Sequence, residues 1–201
     1  SRNTKEQLES KQKKLLEEYE TFLISWNRTH NLISKSQTTF LKEHIQDSLA
    51  ISSKLQRCLV DLGSGGGLPG IPIAIANPEK TVILVESNTK KSAFLLNATG
   101  RLGLKNTQVI NERIEKIDPS ILPEQFDVVS RAVGSIKTNI NLVSNLLKNK
   151  RIELKLMKTE DQLDQEKIPP GYRIKKIDKF PSKTKDKTRI LVTIETEQQN
   201  G

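Results

Sequence analysis

Residues 59–72 read Leu59-Val60-Asp61-Leu62-Gly63-Ser64-Gly65-Gly66-Gly67-Leu68-Pro69-Gly70-Ile71-Pro72. A short apolar run ends in an acid, and four glycines follow within the five residues 63–67. Glycine carries a large entropic cost on folding, so this density needs a cause; the usual one is a tight turn that brings backbone close to a ligand. The stretch reads as a strand, a ligand loop and the start of a helix.

The same grammar continues outward. Short apolar runs alternate with helical segments, which is the pattern of a parallel sheet covered by helices. Strands are predicted at Cys58–Leu62, Thr81–Glu86, Thr107–Asn111, Phe126–Arg131, Ile152–Lys158, Tyr172–Lys179 and Thr188–Thr196. Helices are predicted at Pro69–Ala76, Lys90–Leu102, Ser135–Leu147 and Asp161–Glu166, with a poor turn at Ile114–Ile117. Only Phe180 to Lys187 separates the last two strands, too little for a parallel crossover, so they form an antiparallel hairpin. Ahead of the sheet, Leu8, Leu15, Leu16, Tyr19, Phe22, Leu23 and Trp26 recur at helical spacing, giving one long amphipathic helix or two short ones. Asn31 suits a left-handed end, Ser34 can cap the segment after it, and a second helix is expected over Phe40 to Leu55. The fold class is α/β, Rossmann-like, with seven strands, and the expected division is a helical cap over 1–56 and a sheet domain over 57–201.

The chain has 201 residues, 34% hydrophobic and 28% charged, with a formal net charge of +9. That excess divides as +3 over 1–57, +1 over 58–147 and +5 over 148–201. A neutral centre between basic flanks suits a small-ligand site that must face a polyanion, and it equally suits simple solubility. The single cysteine, Cys58, excludes an internal disulfide and a zinc cluster of cysteines, and is expected to be inert core. No run reaches the roughly 18–20 apolar residues of a membrane span, and the N-terminus lacks a signal-peptide core. A soluble, cytoplasmic monomer is expected. The chain begins at Ser1 rather than a methionine, which leaves its native start open.

Two ligand classes could use the glycine loop. Gly65-Gly66-Gly67-Leu68-Pro69-Gly70 spells G-x-G-x-x-G, the dinucleotide fingerprint, which would make the chain a nicotinamide-dependent oxidoreductase. Asp61 argues against it, because a carboxylate two residues before the first glycine would repel a pyrophosphate at the helix start. The spacing Asp61-x-Gly63-x-Gly65-x-Gly67 instead suits S-adenosylmethionine, which has no phosphate and carries an ammonium and a sulfonium. Glu86 ends the next strand, where it could accept hydrogen bonds from the ribose hydroxyls of either cofactor. Helix capping and solvated strand ends are the plainer roles for these two acids.

Taken with Trp26-Asn27, Asn31-Leu32, His44-Ile45-Gln46-Asp47-Ser48-Leu49 and Ser130-Arg131-Ala132, the loop and its Leu68-Pro69-Gly70-Ile71-Pro72 tail resemble the bacterial 16S ribosomal RNA guanine-N7 methyltransferase family (RsmG, or glucose-inhibited division protein B). The resemblance runs from about Phe22 to Arg131. It implies a seven-stranded methyltransferase fold behind a helical cap, S-adenosylmethionine as donor, and a guanine of the decoding region in small-subunit rRNA as acceptor. It also implies donor contacts at Gly63, Leu68, Ile114, Glu115 and Arg131. Ile114 would cover an adenine face while backbone or Glu115 reads the amino edge; Arg131 would position the donor, with a phosphate contact as its second role. Guanine N7 has an available lone pair, so no general base is assigned and catalysis rests on positioning.

His44, Asp47 and Ser48 lie within one helical turn, but a regular helix offers no strained elbow or oxyanion hole, so no hydrolytic triad is inferred. They are expected to line the junction of cap and sheet, with His44 satisfied by a local hydrogen bond. Phe22 and Trp26 read as core rather than as a base-stacking platform. For RNA, the expected contacts are Arg173, Lys175, Lys183, Lys185, Lys187 and Arg189 on the late hairpin, and Lys158 by family resemblance. A lysine-protected sheet edge would look the same. A non-catalytic RNA-binding protein of this fold is the remaining alternative.

Overall fold

The structure is a computed structural model that describes residues 2–131, 134–180 and 187–197, with residues 2–8 as backbone only. A long helix α1 (Arg2–His30) opens the chain and ends where Asn31 takes φ 49°, the left-handed value that asparagine tolerates. Ser34 then caps α2 (Lys35–Thr39) in a reciprocal box with Gln37, a five-residue helix that the apolar spacing does not signal. The expected helix over 40–55 is α3 (Leu41–Ala50) followed by a 3-10 turn at Ser52–Lys54.

From here strands and helices alternate. They are β1 (Cys58–Leu62), α4 (Gly70–Ala76), β2 (Thr81–Val85), α5 (Thr89–Arg101), β3 (Thr107–Ile110), β4 (Gln125–Ser130), α6 (Ile136–Asn149), β5 (Arg151–Thr159), α7 (Glu160–Asp164), β6 (Tyr172–Phe180) and β7 (Arg189–Thr196). Two 3-10 turns, Ile114–Lys116 and Pro119–Ile121, join β3 to β4. The strands form one sheet in the order β3-β2-β1-β4-β5-β7-β6, parallel throughout except that β7 is antiparallel to both β5 and β6. Seven strands and an antiparallel final hairpin are as the sequence predicts, with ends shifted by a residue or so.

Alternation along the central strands sends neighbours to opposite faces. Leu59 and Val82 join Tyr19, Leu23, Ile71 and Phe94 in one apolar cluster, on the side of α1, α4 and α5. Val60 and Ile83 join Ile140 and Val143 of α6 in the other. Leu15, Leu16, Tyr19, Phe22, Leu23 and Trp26 of α1 therefore sit in or against the same core as the sheet. Phe22 and Trp26 pack partly buried beside Phe94, with ring centroids 5.5 and 5.9 Å from it, as core residues do. Cys58 is half-buried, and burial pushes its thiol pKa up, which keeps it unreactive. Among the described residues, no helix is long and apolar enough to cross a membrane.

Strand order reverses between β1 and β4, and open parallel sheets bind ligands at the carboxyl ends of the strands at that switch. The glycine loop leaves β1 there, and Arg131 follows β4 there.

Candidate donor and acceptor cavities

The loop after β1 is fastened from below. Gly63 and Ser64 N–H both donate to the Val85 carbonyl at the end of β2, at 3.0 and 3.1 Å. Asp61 is fully buried; its Oδ2 accepts from Ser64 Oγ and from Gly70 N–H, each at 2.9 Å, so it ties β1 to the first residue of α4. From the cap side, the buried Tyr19 hydroxyl donates to the Gly66 carbonyl at 2.6 Å, and burial pushes the phenol pKa well up, so it remains a donor. Asp61, Tyr19 and Val85 hold the loop in one shape.

The glycines divide into two kinds. A Cβ on Gly66 would lie 2.8 Å from Ile33, one on Gly67 would lie 2.5 Å from Ile71, and one on Gly70 would lie 2.3 Å from Leu84. These three are small because the protein's own side chains leave no room. Gly65 differs: with φ +58°, its Cβ would meet nothing closer than the Gly63 carbonyl oxygen at 3.8 Å. That open space belongs to a cavity of about 330 Å³ whose walls include Gly63, Gly65, Leu68, Glu86, Leu32 of the cap and Arg131. A second cavity, of about 170 Å³, continues from Gly63 past Val85 to Ile114 and Glu115.

The sequence-predicted donor residues Gly63, Gly65, Leu68, Glu86, Ile114, Glu115 and Arg131 thus lie along two cavities that share Gly63. Asp61 and Gly67 do not line them. Asp61 sits behind the loop because its strand position points it at α4, and Gly67 makes a turn whose N–H donates to the Ser64 carbonyl at 2.8 Å. Asp61 is expected from the sequence to face the ligand; the structure places its carboxyl beneath the loop, bonded to Ser64 and Gly70. Glu86 accepts Gly65 N–H on one oxygen and Asn88 N–H on the other, both at 2.8 Å, fixing its carboxylate at the cavity wall.

This geometry also bears on which cofactor fits. Gly65 N–H goes to Glu86, Gly67 N–H to Ser64, Gly70 N–H to Asp61 and Ile71 N–H to Gly67, so the N–H groups of all three fingerprint glycines are already used within the protein rather than offered to a pyrophosphate. The residues present fit S-adenosylmethionine instead. Gly65 leaves space, Glu86 offers a carboxylate, and a buried acid, whose Oδ1 has no partner, lies under a loop that would receive a cationic ligand.

Burial raises the Asp61 pKa to about 7, against the lowering effects of Ser64, Gly70 and Arg131. An acid whose folded pKa lies above its unfolded one stabilises the fold fully below the unfolded value, and that contribution is lost as pH rises through the folded one. Stability of the wild type relative to Asp61→Asn, which does not titrate, is therefore expected to fall between about pH 4 and pH 7 and to level off above. Urea midpoints across that range test this, and a pH-independent difference would contradict it.

A third cavity, of about 120 Å³, adjoins the first and shares Gln37 and Arg131 with it. His44 and Asp47 of α3, Lys158 of β5 and Arg189 of β7 also line it. The junction of cap and sheet is where the sequence places His44 and Asp47. Ser48 turns away, its hydroxyl donating to the His44 carbonyl at 2.8 Å. The local hydrogen bond expected for the His44 ring is not found among the described residues. Burial, helped by Arg131 and Arg189, pushes the His44 pKa down to about 4, so the imidazole is neutral at pH 7. Arg131, largely buried, has its pKa lowered by burial, and Asp47 and Asp61 are among the groups that act against this.

The predicted RNA residues fare differently. Lys158 pairs with Glu166 at 3.0 Å and faces the third cavity rather than open surface, and Arg189 lies 3.6 Å from Asp47 in the same wall. Arg173 and Lys175 are on exposed β6, but they pair with Glu195 and Glu153 at 2.7 Å each. Lys187 is exposed, while Lys183 and Lys185 lie outside the described residues.

Known proteins resemble this chain in sequence and in fold. The family model described as GidB, rRNA small subunit methyltransferase G, matches residues 12–190. Ribosomal RNA small subunit methyltransferase G of Hydrogenovibrio crunogenus is 39% identical over 92% of this chain and 86% of its own. The protein of that name from a Shewanella strain is 35% identical over 92% and 90%. Among solved structures, a SAM-dependent methyltransferase from Aquifex aeolicus superposes with a TM-score of 0.57 at 13% identity, covering 84% of this chain and 97% of its own. TYW2 of M. jannaschii in complex with AdoMet gives 0.52 at 15% identity, covering 78% and 77%. Those two likenesses concern the fold alone. With nearly the whole chain matched by the family model and by relatives above 30% identity, the chain belongs to the rRNA small subunit methyltransferase G family.

Proposed function

We propose that this methyltransferase moves a methyl group from S-adenosylmethionine to N7 of a guanine in 16S rRNA of the small ribosomal subunit. The observation that carries the reading is the pair of adjoining cavities joined at Arg131: one lined by the glycine loop and Glu86, the other by polar groups of cap and sheet. S-adenosylmethionine, when bound, supplies an activated methyl group on a positively charged sulfur. Gly63 and Gly65 give its adenosine side room, Glu86 takes the ribose, and Ile114 with Glu115 bounds the adenine. Leu68 and Arg131 close the methionine side, and Asp61 and Gly67 hold the loop from behind.

N7 needs no deprotonation, so the chain has no base to supply. Its task is to hold two partners in line and exclude water, which intramolecular analogues show is worth several orders of magnitude in rate. The neutral His44 adds no charge to a pocket in which the base itself becomes cationic.

Contact with the rRNA backbone falls on Lys187 and on Lys183 and Lys185 beside it in sequence, with Lys158 and Arg189 nearer the base. Arg173 and Lys175 contribute less, since each already has a carboxylate partner. The division into a cap over 1–56 and a methyltransferase domain over 57–201, acting as a cytoplasmic monomer, completes the reading. Incubation with methyl-labelled donor and small subunits lacking the modification is expected to label rRNA. Label in ribosomal protein or in free nucleotides would refute the assignment.

A further inference from the structure

The third cavity has a chemistry the donor site does not need. Asp47 and Arg189 stand side by side in its wall, with Asp47 Oδ2 3.6 Å from Arg189 Nε. Asp47 is mostly buried, and Arg189 about one-third exposed. A carboxylate accepts only, and a guanidinium donates only. An acceptor beside a donor is the complement of the guanine Watson–Crick edge, where the N1–H and N2–H donors lie beside the O6 acceptor. Adenine presents the reverse order, an N6 donor beside an N1 acceptor, and would set like against like. Phe180, Met157 and Ile190 supply apolar surface for the faces of a planar base.

We infer that this cavity receives the flipped target guanine and that Asp47 reads its N1–H and N2–H groups, with Arg189 opposite O6. The inference rests on the guanine-N7 reading and adds to it the residue that selects the base. In this arrangement the base presents its opposite, N7 edge away from Asp47, and the wall shared with the donor cavity is formed by Arg131 and Gln37. The sulfur–methyl bond breaks, the N7–methyl bond forms, the sulfur becomes a neutral thioether and the purine ring gains the positive charge; no proton leaves. A carboxylate on the far edge of that ring is favourably placed for the charge that develops. An analogue without the N2 amino group forgoes one hydrogen bond to a charged acceptor, which the wild-type site makes with guanine.

The test uses small subunits reconstituted with rRNA that carries either guanine or inosine at the modified position. Inosine keeps N7, O6 and N1–H but lacks the N2 amino group. The wild-type enzyme is expected to favour guanine by roughly 10- to 100-fold in kcat/KM, the effect of one hydrogen bond to a charged acceptor. Asp47→Ala is expected to lose a similar factor on guanine, to treat the two bases alike, and to keep wild-type donor affinity by calorimetry. Equal rates on both bases by the wild type, a measurement that needs no variant to fold, would overturn the inference. So would an Asp47→Ala enzyme that still favours guanine as the wild type does. A wild-type enzyme that labels neither subunit would overturn the guanine-N7 reading as well, which separates that failure from a wrong pocket.

Discussion

Gly70→Ala is expected to cost roughly 3–5 kcal/mol of stability and to lower the thermal midpoint by roughly 10 °C or more. The added methyl would stand 2.3 Å from Leu84 Cδ2 and 2.6 Å from Asp61 Oδ2, both in the buried layer where β1, β2 and α4 meet. Neither neighbour can yield cheaply, since Leu84 and Asp61 are both fully buried. Moving the backbone instead would draw Gly70 N–H away from Asp61 and leave a buried carboxylate short of a donor. Gly100→Ala is the control. It lies within α5 with nothing within 4 Å of its new Cβ, and it is expected to raise stability by about 0.5–1 kcal/mol through helix propensity. Paired melting curves decide the matter; equal midpoints for the two variants would refute the packing account of the glycine loop.

The second large effect is on binding. Gly65→Val is expected to lower S-adenosylmethionine affinity by at least roughly 100-fold, because the side chain enters a part of the loop where a Cβ finds open cavity. Strain contributes too, since φ +58° is disfavoured for a β-branched residue. Gly65→Asn separates the causes: asparagine tolerates the left-handed backbone, yet its side chain still fills the space. Calorimetry is expected to show both variants defective, with the asparagine protein close to wild type in melting temperature. Donor affinity retained by Gly65→Asn would mean that the cavity beside Gly65 is not where the donor lies.

These two glycines show what the sequence could and could not convey. Glycine density located the loop, and the central strands stood out as apolar runs because a buried parallel sheet leaves aliphatic segments, while the final hairpin showed in the short spacing between its strands. What each glycine is for stayed hidden. Gly70 meets Leu84, fourteen positions on, and Gly66 meets Ile33, thirty-three back; such contacts depend on the fold and leave no local trace. Asp61 illustrates the same limit. As an acid ahead of a glycine loop it reads as a ligand contact, and only the path of α4 over it shows that it bonds Gly70.

Charge was the other place where local reading fell short. The basic run of the late hairpin reads as a phosphate track, but register sets Arg173 opposite Glu195 across β6 and β7. Lys175 reaches Glu153 on β5. Much of the hairpin's excess is taken up by cross-strand pairs. The third cavity could not be read as a unit, since Asp47, Arg131, Lys158 and Arg189 come from four separate elements or their ends. The spacing of His44 and Asp47 did place them at the junction of cap and sheet, because both face inward from one side of a short amphipathic helix.

The central claim is that the methyl group reaches N7 of a guanine in small-subunit rRNA. Methylation at N7 leaves the purine cationic and makes the chain at that nucleotide cleavable after borohydride reduction and aniline treatment. Small subunits lacking the modification, incubated with the enzyme and S-adenosylmethionine, are expected to give 16S rRNA with one new enzyme-dependent cleavage, at a guanine. Methyl incorporation into the rRNA without any such cleavage, or with cleavage spread over many guanines, would contradict the account.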